Sequence, residues 1–258
     1  MSDGVALDHF GRGVFDDRGP LLNNAPDQDN TMASIRFDII SIGTLSRNRI
    51  WKENEVLRTP HATTTLIRAG KRCILVDPAL PPQALGARLF ERTGLKPEAI
   101  DTVFLTNFRP AHRGGLTLFP KARVLINEPE QQWARQQLQA LRDQAPEEDL
   151  DRRQIERELQ ILNGCAPADD KLANDVDLFP LAGYTPGQCG LLIALPTITV
   201  LLAGDGVPTE DHFLAGQVLP DSYDIKQAQE SLAEVYEIAD LIIPGHDNVF
   251  LNPRAHGM

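Results

Sequence analysis

A ten-residue loop near the middle of the chain constrains the fold more than any other stretch of the sequence. Residues 106–115 read TNFRPAHRGG and directly follow an apolar run at residues 103–105. A short apolar run bounded by turn-forming segments is typical of a buried β-strand. The paired glycines at the end of the loop open a second apolar stretch. The sequence therefore predicts a buried strand that ends in a polar loop, and this loop holds a single histidine, His112.

The composition indicates a globular, acidic chain. It has 258 residues, of which 42% are hydrophobic and 24% are charged, enough to bury a sizeable core. The formal net charge of −11 repels a nucleic-acid backbone and weighs against a nuclease. No apolar run approaches the roughly 20 residues that span a bilayer, and no secretory signal follows Met1. We therefore predict a cytoplasmic protein that acts on small molecules, not on nucleic acid or membranes.

The first 34 residues differ from the rest of the chain. They are rich in glycine, proline, asparagine and aspartate and show no apolar periodicity, a composition typical of flexible segments. We predict that residues 1–34 form an irregular N-terminal extension and that residues 35–258 form one domain. The alternative is that apolar residues of the extension, among them Phe10 and Phe15, pack on the domain or on a second subunit. A homodimer is therefore left open.

From residue 35 onward, predicted strands alternate with predicted helices. Runs of apolar and β-branched residues between turn residues predict strands and hairpins, and apolar residues at helical spacing predict helices. The predicted strands cover residues 37–42, 63–67, 73–76, 102–105, 124–126, 191–195, 198–202 and 241–243. The predicted helices cover residues 82–93, 129–141, 149–162 and a stretch that opens with a capping box at Asp224. This order predicts an α/β or α+β sandwich, in which two packed sheets are covered by helices.

Four further short motifs follow apolar strands in order along the chain. They are Val76-Asp77-Pro78, Thr185-Pro186-Gly187-Gln188, Gly204-Asp205 and Pro244-Gly245-His246. Together with the loop at residues 106–115, they resemble the motifs of the metallo-β-lactamase superfamily, whose loop reads Thr-His-x-His-x-Asp-His-x-Gly-Gly. The resemblance covers roughly residues 36–252. It implies a four-layer αββα sandwich and the metal-binding, hydrolytic site of that family.

The resemblance also implies where the metal ligands of the family would stand in this chain. One ion of the family is held by the first two histidines of the loop and by the histidine of Thr-Pro-Gly-His. Those positions are here Asn107, Arg109 and Gln188. The second ion is held by the loop aspartate, the next histidine, a shared aspartate and the final histidine. Those positions are here Ala111, His112, Asp205 and His246. The first site is therefore predicted to be lost, whereas the second keeps two histidines and one carboxylate.

The first hypothesis is a divergent hydrolase with at most one metal ion. Two imidazoles and a carboxylate can hold one Zn²⁺ or Fe²⁺ ion and leave coordination positions open. Such a site would hydrolyse a small ester, thioester, lactone or amide. Asp205 and Arg109 are the catalytic candidates, because the Arg109 guanidinium could bind an anionic substrate group or an oxyanion in place of the lost ion. An Fe²⁺-dependent oxidoreductase or oxygenase on the same three ligands is a further alternative.

The rival hypothesis is a catalytically inactive pseudoenzyme that binds a ligand or a partner and no metal. Burying a carboxylate without a cation costs on the order of several kcal/mol. The guanidinium of Arg109 is therefore expected to fill the vacated volume and pair with Asp205, while Asn107 and Gln188 complete a neutral hydrogen-bond network. On this hypothesis His112 and His246 have ordinary structural roles.

Four other side chains are candidates for the same pocket. His61 precedes a predicted strand and His212 follows Asp205 in a predicted loop, so either imidazole could act as a replacement ligand or base. Tyr223 could donate a hydrogen bond to an oxyanion. Asp77 is predicted to hydrogen-bond and orient the metal ligands or to shape a turn, without binding the metal itself. For each of these residues, an exposed or purely structural role is the alternative.

Overall fold

The computed structural model describes residues 35–146 and 150–255. The predicted extension at residues 1–34 lies outside the described residues. Within the described part, the chain forms two six-stranded sheets and five α-helices. None of these helices is both long enough and apolar enough to cross a membrane.

The first sheet contains the strand that leads into the loop at residues 106–115. Its strands, in spatial order, are β1 (Arg36–Ser41), β2 (Thr64–Ala69), β3 (Arg72–Val76), β4 (Thr102–Leu105), β5 (Arg123–Ile126) and β6 (Ala166–Pro167). The pairs β1–β2 and β2–β3 are antiparallel, and the pairs from β3 to β6 are parallel. Parallel neighbours end at the same edge of a sheet, so the segments that follow β3 and β4 meet there.

The second sheet supplies the other half of the fold. Its strands, in spatial order, are β12 (Phe250–Leu251), β11 (Leu241–Pro244), β10 (Thr199–Gly204), β9 (Cys189–Ala194), β8 (Val176–Pro180) and β7 (Lys171–Ala173). Only β10 and β11 pair in parallel among these strands. The segments that follow β10 and β11 therefore also lie at one edge.

Helices cover the outer faces of both sheets. They are α1 (Pro82–Thr93), α2 (Glu128–Gln144), α3 (Leu150–Asn163), α4 (Glu210–Ala215) and α5 (Ile225–Ile238). Leu85 of α1 and Leu162 of α3 pack on one face of the first sheet, and Phe213 of α4 and Val235 of α5 pack on one face of the second sheet. A third apolar cluster joins the inner faces of the two sheets. The predicted four-layer αββα sandwich is confirmed.

Strand β4 shows why the apolar run before the loop has no polar alternation. Successive side chains of a strand point to opposite faces. Val103 and Leu105 pack in the cluster beneath the helices, while Phe104 packs between the two sheets. Both faces of β4 are thus buried, and a continuous apolar run is the pattern that such a strand requires.

Two differences from the sequence-based prediction concern short elements. Helix α4 forms where a loop was predicted, because the Thr209 hydroxyl caps its first turn by accepting from the backbone N–H of His212 at 3.3 Å. Strands β6, β7, β8 and β12 were not predicted, since three of them have only two or three residues and show little periodicity. The predicted cap of α5 is present: the Asp224 carboxylate accepts from the backbone N–H of Gln227 at 3.0 Å.

Candidate functional site

The candidate site lies where the loops after four strands converge. Asp77 follows β3, the loop at residues 106–115 follows β4, Asp205 follows β10 and His246 follows β11. The four motifs are far apart in sequence, and the edges of the two packed sheets bring them together. The site is therefore a product of the whole sandwich and not of one local motif.

The paired glycines fix the path of the loop at residues 106–115. A Cβ atom on Gly114 would lie 2.4 Å from the Ala79 carbonyl oxygen, and one on Gly115 would lie 2.5 Å from the Leu80 carbonyl oxygen. Only glycine permits the backbone to approach the segment after β3 this closely. This close packing places His112, at the end of a short 3₁₀ turn, in the interior with no solvent exposure.

Three side chains present ligand atoms to one point. Within the described part of the chain, the group that could hold a metal ion consists of His112, Asp205 and His246, with ligand atoms all within 4.8 Å of one another. The Nε2 atom of His112 lies 2.9 Å from Asp205 Oδ2, and the Nε2 atom of His246 lies 2.8 Å from Asp205 Oδ1. All three side chains are buried.

The Oδ1 atom of Asp205 supports the fit of a metal ion to these residues. It is buried and, among the described residues, has no hydrogen bond of normal geometry, although His246 Nε2 is 2.8 Å away. A buried carboxylate oxygen without a hydrogen bond is costly. Asp205 Oδ1 and His246 Nε2 face each other as two ligand atoms of the same bound cation would. Two nitrogen ligands and one carboxylate are a donor set that suits Zn²⁺ or Fe²⁺.

A second set of contacts orients both imidazoles. His246 Nδ1 lies 3.0 Å from the backbone oxygen of His61, and His112 Nδ1 lies 2.9 Å from Asp77 Oδ2. Because oxygen acceptors hold the Nδ1 protons, both Nε2 atoms can present a lone pair to a metal. Asp77 is itself fixed, since it accepts from the backbone N–H of Thr106 at 2.9 Å and from its hydroxyl at 2.7 Å.

The electrostatics of the site are dominated by two buried carboxylates. Burial alone would lower the pKa of His112, but the charges of Asp77 and Asp205 outweigh it and raise this pKa to about 10. Burial alone would raise the pKa of Asp205, but His112 and His246 hold it well below its usual range. In the metal-free chain, a protonated His112 therefore balances the buried negative charge, a role that a bound cation would take over.

An amide network occupies the positions at which the sequence predicts lost ligands. Asn107 Nδ2 donates to Gln188 Oε1 and to Asp205 Oδ2, both at 2.9 Å, and Gln188 Nε2 donates to the Ala203 carbonyl at 3.1 Å. Both amides are fully buried. Ala111 lines the cleft but offers no ligand atom. These side chains satisfy one another, so a second ion would lack ligands here.

The predicted Arg109–Asp205 pair is absent from the structure. The Arg109 guanidinium carbon lies 5.2 Å from the ring centre of Tyr184 and 5.9 Å from that of Trp133, and no ion pair joins it to Asp205 in the described residues. The reason is that the partners of Asp205 are already His112, His246 and Asn107. Arg109 is exposed and lies at the edge of the cleft rather than in the vacated ligand volume.

The other predicted pocket residues have different positions. His212 is buried and lines the cleft, with Nδ1 2.8 Å from the Thr209 hydroxyl. His61 contributes its backbone carbonyl and not its imidazole, which lies 3.3 Å from the Thr59 carbonyl. Tyr223 is 66% exposed and packs edge-on against Trp133, outside the cleft lining.

The ligand cluster forms the floor of a cleft of about 550 Å³. The wall residues that were not identified from the sequence include Arg47, Arg49 and Tyr184. Tyr184 directly precedes the Thr-Pro-Gly-Gln motif, and this position could have indicated it. Arg47 and Arg49 lie in the segment between β1 and β2, and no motif marks them. Burial, and after it the charge of Asp205, raises the pKa of Tyr184, so its phenol stays protonated.

Comparisons with known proteins agree with this fold. A model of the metallo-beta-lactamase superfamily matches residues 58–246. A Thermotoga maritima structure described only provisionally as a metallo-beta-lactamase is 17% identical, with a TM-score of 0.63 over 84% of this chain and 99% of that chain. AidC, a dizinc quorum-quenching lactonase, is 18% identical, with a TM-score of 0.59 over 83% of this chain and 84% of that chain. A quorum-quenching N-acyl homoserine lactone hydrolase is 20% identical, with a TM-score of 0.58 over 83% of this chain and 91% of that chain. No curated protein sequence is significantly similar.

Proposed function

Because the chain belongs to the metallo-β-lactamase superfamily, we propose that it is a metal-dependent hydrolase with a single ion held by His112, Asp205 and His246. The observation that carries the proposal is the convergence of these three ligand atoms within 4.8 Å, with Asp205 Oδ1 lacking a hydrogen bond. A Zn²⁺ or Fe²⁺ ion there would supply the Lewis acidity that activates water near neutral pH and polarises a substrate carbonyl.

The residues around the cluster have separate roles in this proposal. Asp77 and the His61 carbonyl hold the two imidazoles in the orientation that ligation requires. Asp205 remains anionic and supplies the carboxylate ligand. Tyr184 lines the same cleft with its hydroxyl protonated, so it can donate to the oxyanion that forms at the carbonyl carbon. Arg109 at the cleft edge can bind an anionic part of the substrate.

The substrate class we propose is a small ester, thioester, lactone or amide. Two of the compared structures are lactone-hydrolysing enzymes, one of them described as a dizinc enzyme. The present chain differs, because Asn107 and Gln188 form an amide network where a second ion would need ligands. We therefore propose a mononuclear variant of this chemistry. A cytoplasmic location and a homodimer remain predictions.

Metal reconstitution tests the proposal against its alternatives. Metal-free protein is loaded with graded amounts of Zn²⁺, or of Fe²⁺ under anaerobic conditions, and assayed with a panel of esters, thioesters, lactones and amides. We expect turnover to rise with loaded metal and to level off near one ion per chain. Turnover that requires oxygen would support the iron oxygenase alternative. No turnover at full loading across the panel would favour the pseudoenzyme.

The substitution Arg109→Ala distinguishes the proposal from the pseudoenzyme hypothesis in which Arg109 pairs with a buried Asp205. An exposed guanidinium over aromatic rings contributes about 0.5–1 kcal/mol. We therefore expect the free energy of unfolding in urea, followed by circular dichroism, to fall by about 1 kcal/mol or less. A loss of about 3–5 kcal/mol would instead indicate that Arg109 neutralises a buried Asp205.

A further inference from the structure

The wall of the cleft carries more positive charge than Arg109, the one arginine that has a role in the proposed hydrolysis. Three arginines line it: Arg47, Arg49 and Arg109. Among the described residues, no carboxylate lies within salt-bridge distance of any of the three. Two acidic side chains line the cleft among the described residues: Asp205 on its floor and Asp221 on its wall. The family match begins at residue 58, so Arg47 and Arg49 lie outside it.

The segment that carries Arg47 and Arg49 is fixed at several points. Its ends are bridged by mutual backbone hydrogen bonds between Thr44 and His61. Inside the segment, the Glu53 carboxylate accepts from the backbone N–H of Asn48 at 2.6 Å and pairs with Arg58. Arg58 also donates to the Leu45 carbonyl at 3.1 Å. The two arginines are therefore presented from an internally bonded loop.

This loop is also hydrogen-bonded to helix α4, which packs on the second sheet. The Trp51 indole N–H donates to the Asp211 carboxylate of α4 at 2.5 Å. Residue His212, next to Asp211, lines the cleft. The loop is thus held over one side of the cleft. Because its backbone is already fixed, a ligand that binds Arg47 and Arg49 loses less binding free energy to ordering the loop than it would with a flexible one.

The charge of the cleft wall contrasts with that of the whole chain. The net charge is −11, and a protein of this charge repels small anions over most of its surface. Three positive charges around a cleft concentrate the field at its mouth. Guanidinium groups match carboxylate and phosphate oxygens with paired N–H donors. Three arginines gathered around the cleft of an acidic protein are an arrangement suited to an anionic ligand.

We propose that the substrate carries an oxyanion group, a carboxylate or a phosphate, which Arg47, Arg49 and Arg109 bind while the acyl bond lies at the metal ligands. This inference rests on the proposed hydrolysis. In the reaction, water adds its oxygen to the acyl carbon, the acyl C–O bond breaks, and the leaving oxygen takes the proton. The anionic group takes no part in these bonds and determines which ester is accepted.

Matched acetate esters test the inference. The probes are 4-acetoxybenzoate, 4-acetoxyphenyl phosphate and the neutral methyl 4-acetoxybenzoate, with acetate release as the readout. We expect kcat/KM to be about tenfold or more higher for one of the anionic probes than for the methyl ester. The better anionic probe identifies carboxylate or phosphate. In R47Q/R49Q this advantage should disappear through a higher KM for the anionic probes, whereas K52Q/K71Q, which removes two exposed charges outside the cleft, should keep it. Equal kcat/KM for all three probes would overturn the inference.

A binding measurement separates failure of the inference from failure of the proposed function. The control variant K52Q/K71Q removes two exposed positive charges that do not line the cleft. Calorimetric titration with terephthalate, which has two carboxylates, is compared with benzoate, which has one. We expect terephthalate to bind about tenfold more tightly to wild type and to K52Q/K71Q, but not to R47Q/R49Q. Preferential binding without turnover of any ester would sustain the anion site and reject the hydrolase. Equal binding of the two acids would reject the anion site.

Discussion

Replacing His246 by alanine is expected to remove both metal binding and turnover while the fold stays intact. His246 supplies one of three ligand atoms, and its Nε2 faces the Asp205 oxygen that lacks a hydrogen bond. Two ligands hold an ion far more weakly than three. Loss of a residue that only orients a ligand already lowers metal affinity by roughly 10- to 100-fold, so for a ligand we expect a fall of about 100-fold or more. Metal content and ester turnover are measured on the same preparation, and circular dichroism checks the fold.

His61→Ala is the matched control for that variant. Among the described residues, the His61 imidazole has its hydrogen-bond contact with the Thr59 carbonyl at 3.3 Å, and His61 contacts His246 through its backbone oxygen. The same change from histidine to alanine should therefore leave metal content and turnover near wild-type values. If H246A kept full turnover, or if H61A lost as much as H246A, the assignment of His246 as a ligand would be wrong.

Replacing Asp77 by alanine is expected to destabilise the chain by about 3–5 kcal/mol, because three buried groups lose their acceptor and each unsatisfied group costs about 1–3 kcal/mol. The carboxylate accepts from the backbone N–H and the hydroxyl of Thr106 and faces His112 Nδ1 at 2.9 Å. All of these groups are buried, so water cannot replace the lost acceptor. The free energy of unfolding is measured by urea denaturation of metal-free protein.

Asp38→Ala is the control for the Asp77 variant. Asp38 pairs with Arg68 at 2.7 Å, but both side chains are about one-third exposed, and a surface pair of this kind contributes about 1 kcal/mol or less. We also expect D77A to bind metal roughly 10- to 100-fold more weakly, because His112 loses the group that orients it. Equal destabilisation by D77A and D38A would show that the buried hydrogen bonds of Asp77 to Thr106 and His112 contribute no more than a surface ion pair.

The sequence was sufficient to predict the sandwich because its strands carry strong local signals. Both faces of β4 are buried, so Val103, Phe104 and Leu105 form an uninterrupted apolar run. The motifs after β3 and β4 lie at one edge of the first sheet, those after β10 and β11 lie at one edge of the second, and the packing of the two sheets brings both pairs together. Helix α4 was missed because six residues and one Thr209 cap give little periodicity.

The candidate site could be predicted only in part. The resemblance to the metallo-β-lactamase superfamily implied the grouping of His112, Asp205 and His246, and the structure places the three together. The position of Arg109 could not be predicted, because it depends on two aromatic rings, Trp133 and Tyr184, that only the fold brings near. The pairing with Asp205, which the pseudoenzyme hypothesis required, is absent from the described residues.

Backbone groups and loop side chains were the hardest parts of the site to predict. The His61 carbonyl, which accepts from His246 Nδ1, belongs to a group that every residue has, so no residue type signals its role. Arg47 and Arg49 are two charges in a segment without periodicity, and their place in the cleft depends on how that segment folds back. Tyr223 was a reasonable candidate by residue type, yet it packs on Trp133 outside the cleft.

The most direct test of the central claim is the metal content per chain. Protein is purified without chelator and without a histidine tag, and metals are quantified by inductively coupled plasma mass spectrometry after dialysis. The account predicts close to one Zn or Fe ion per chain in wild type and close to none in H246A. A wild-type content near zero, with no thermal shift on addition of Zn²⁺, Mn²⁺ or Fe²⁺, would contradict it.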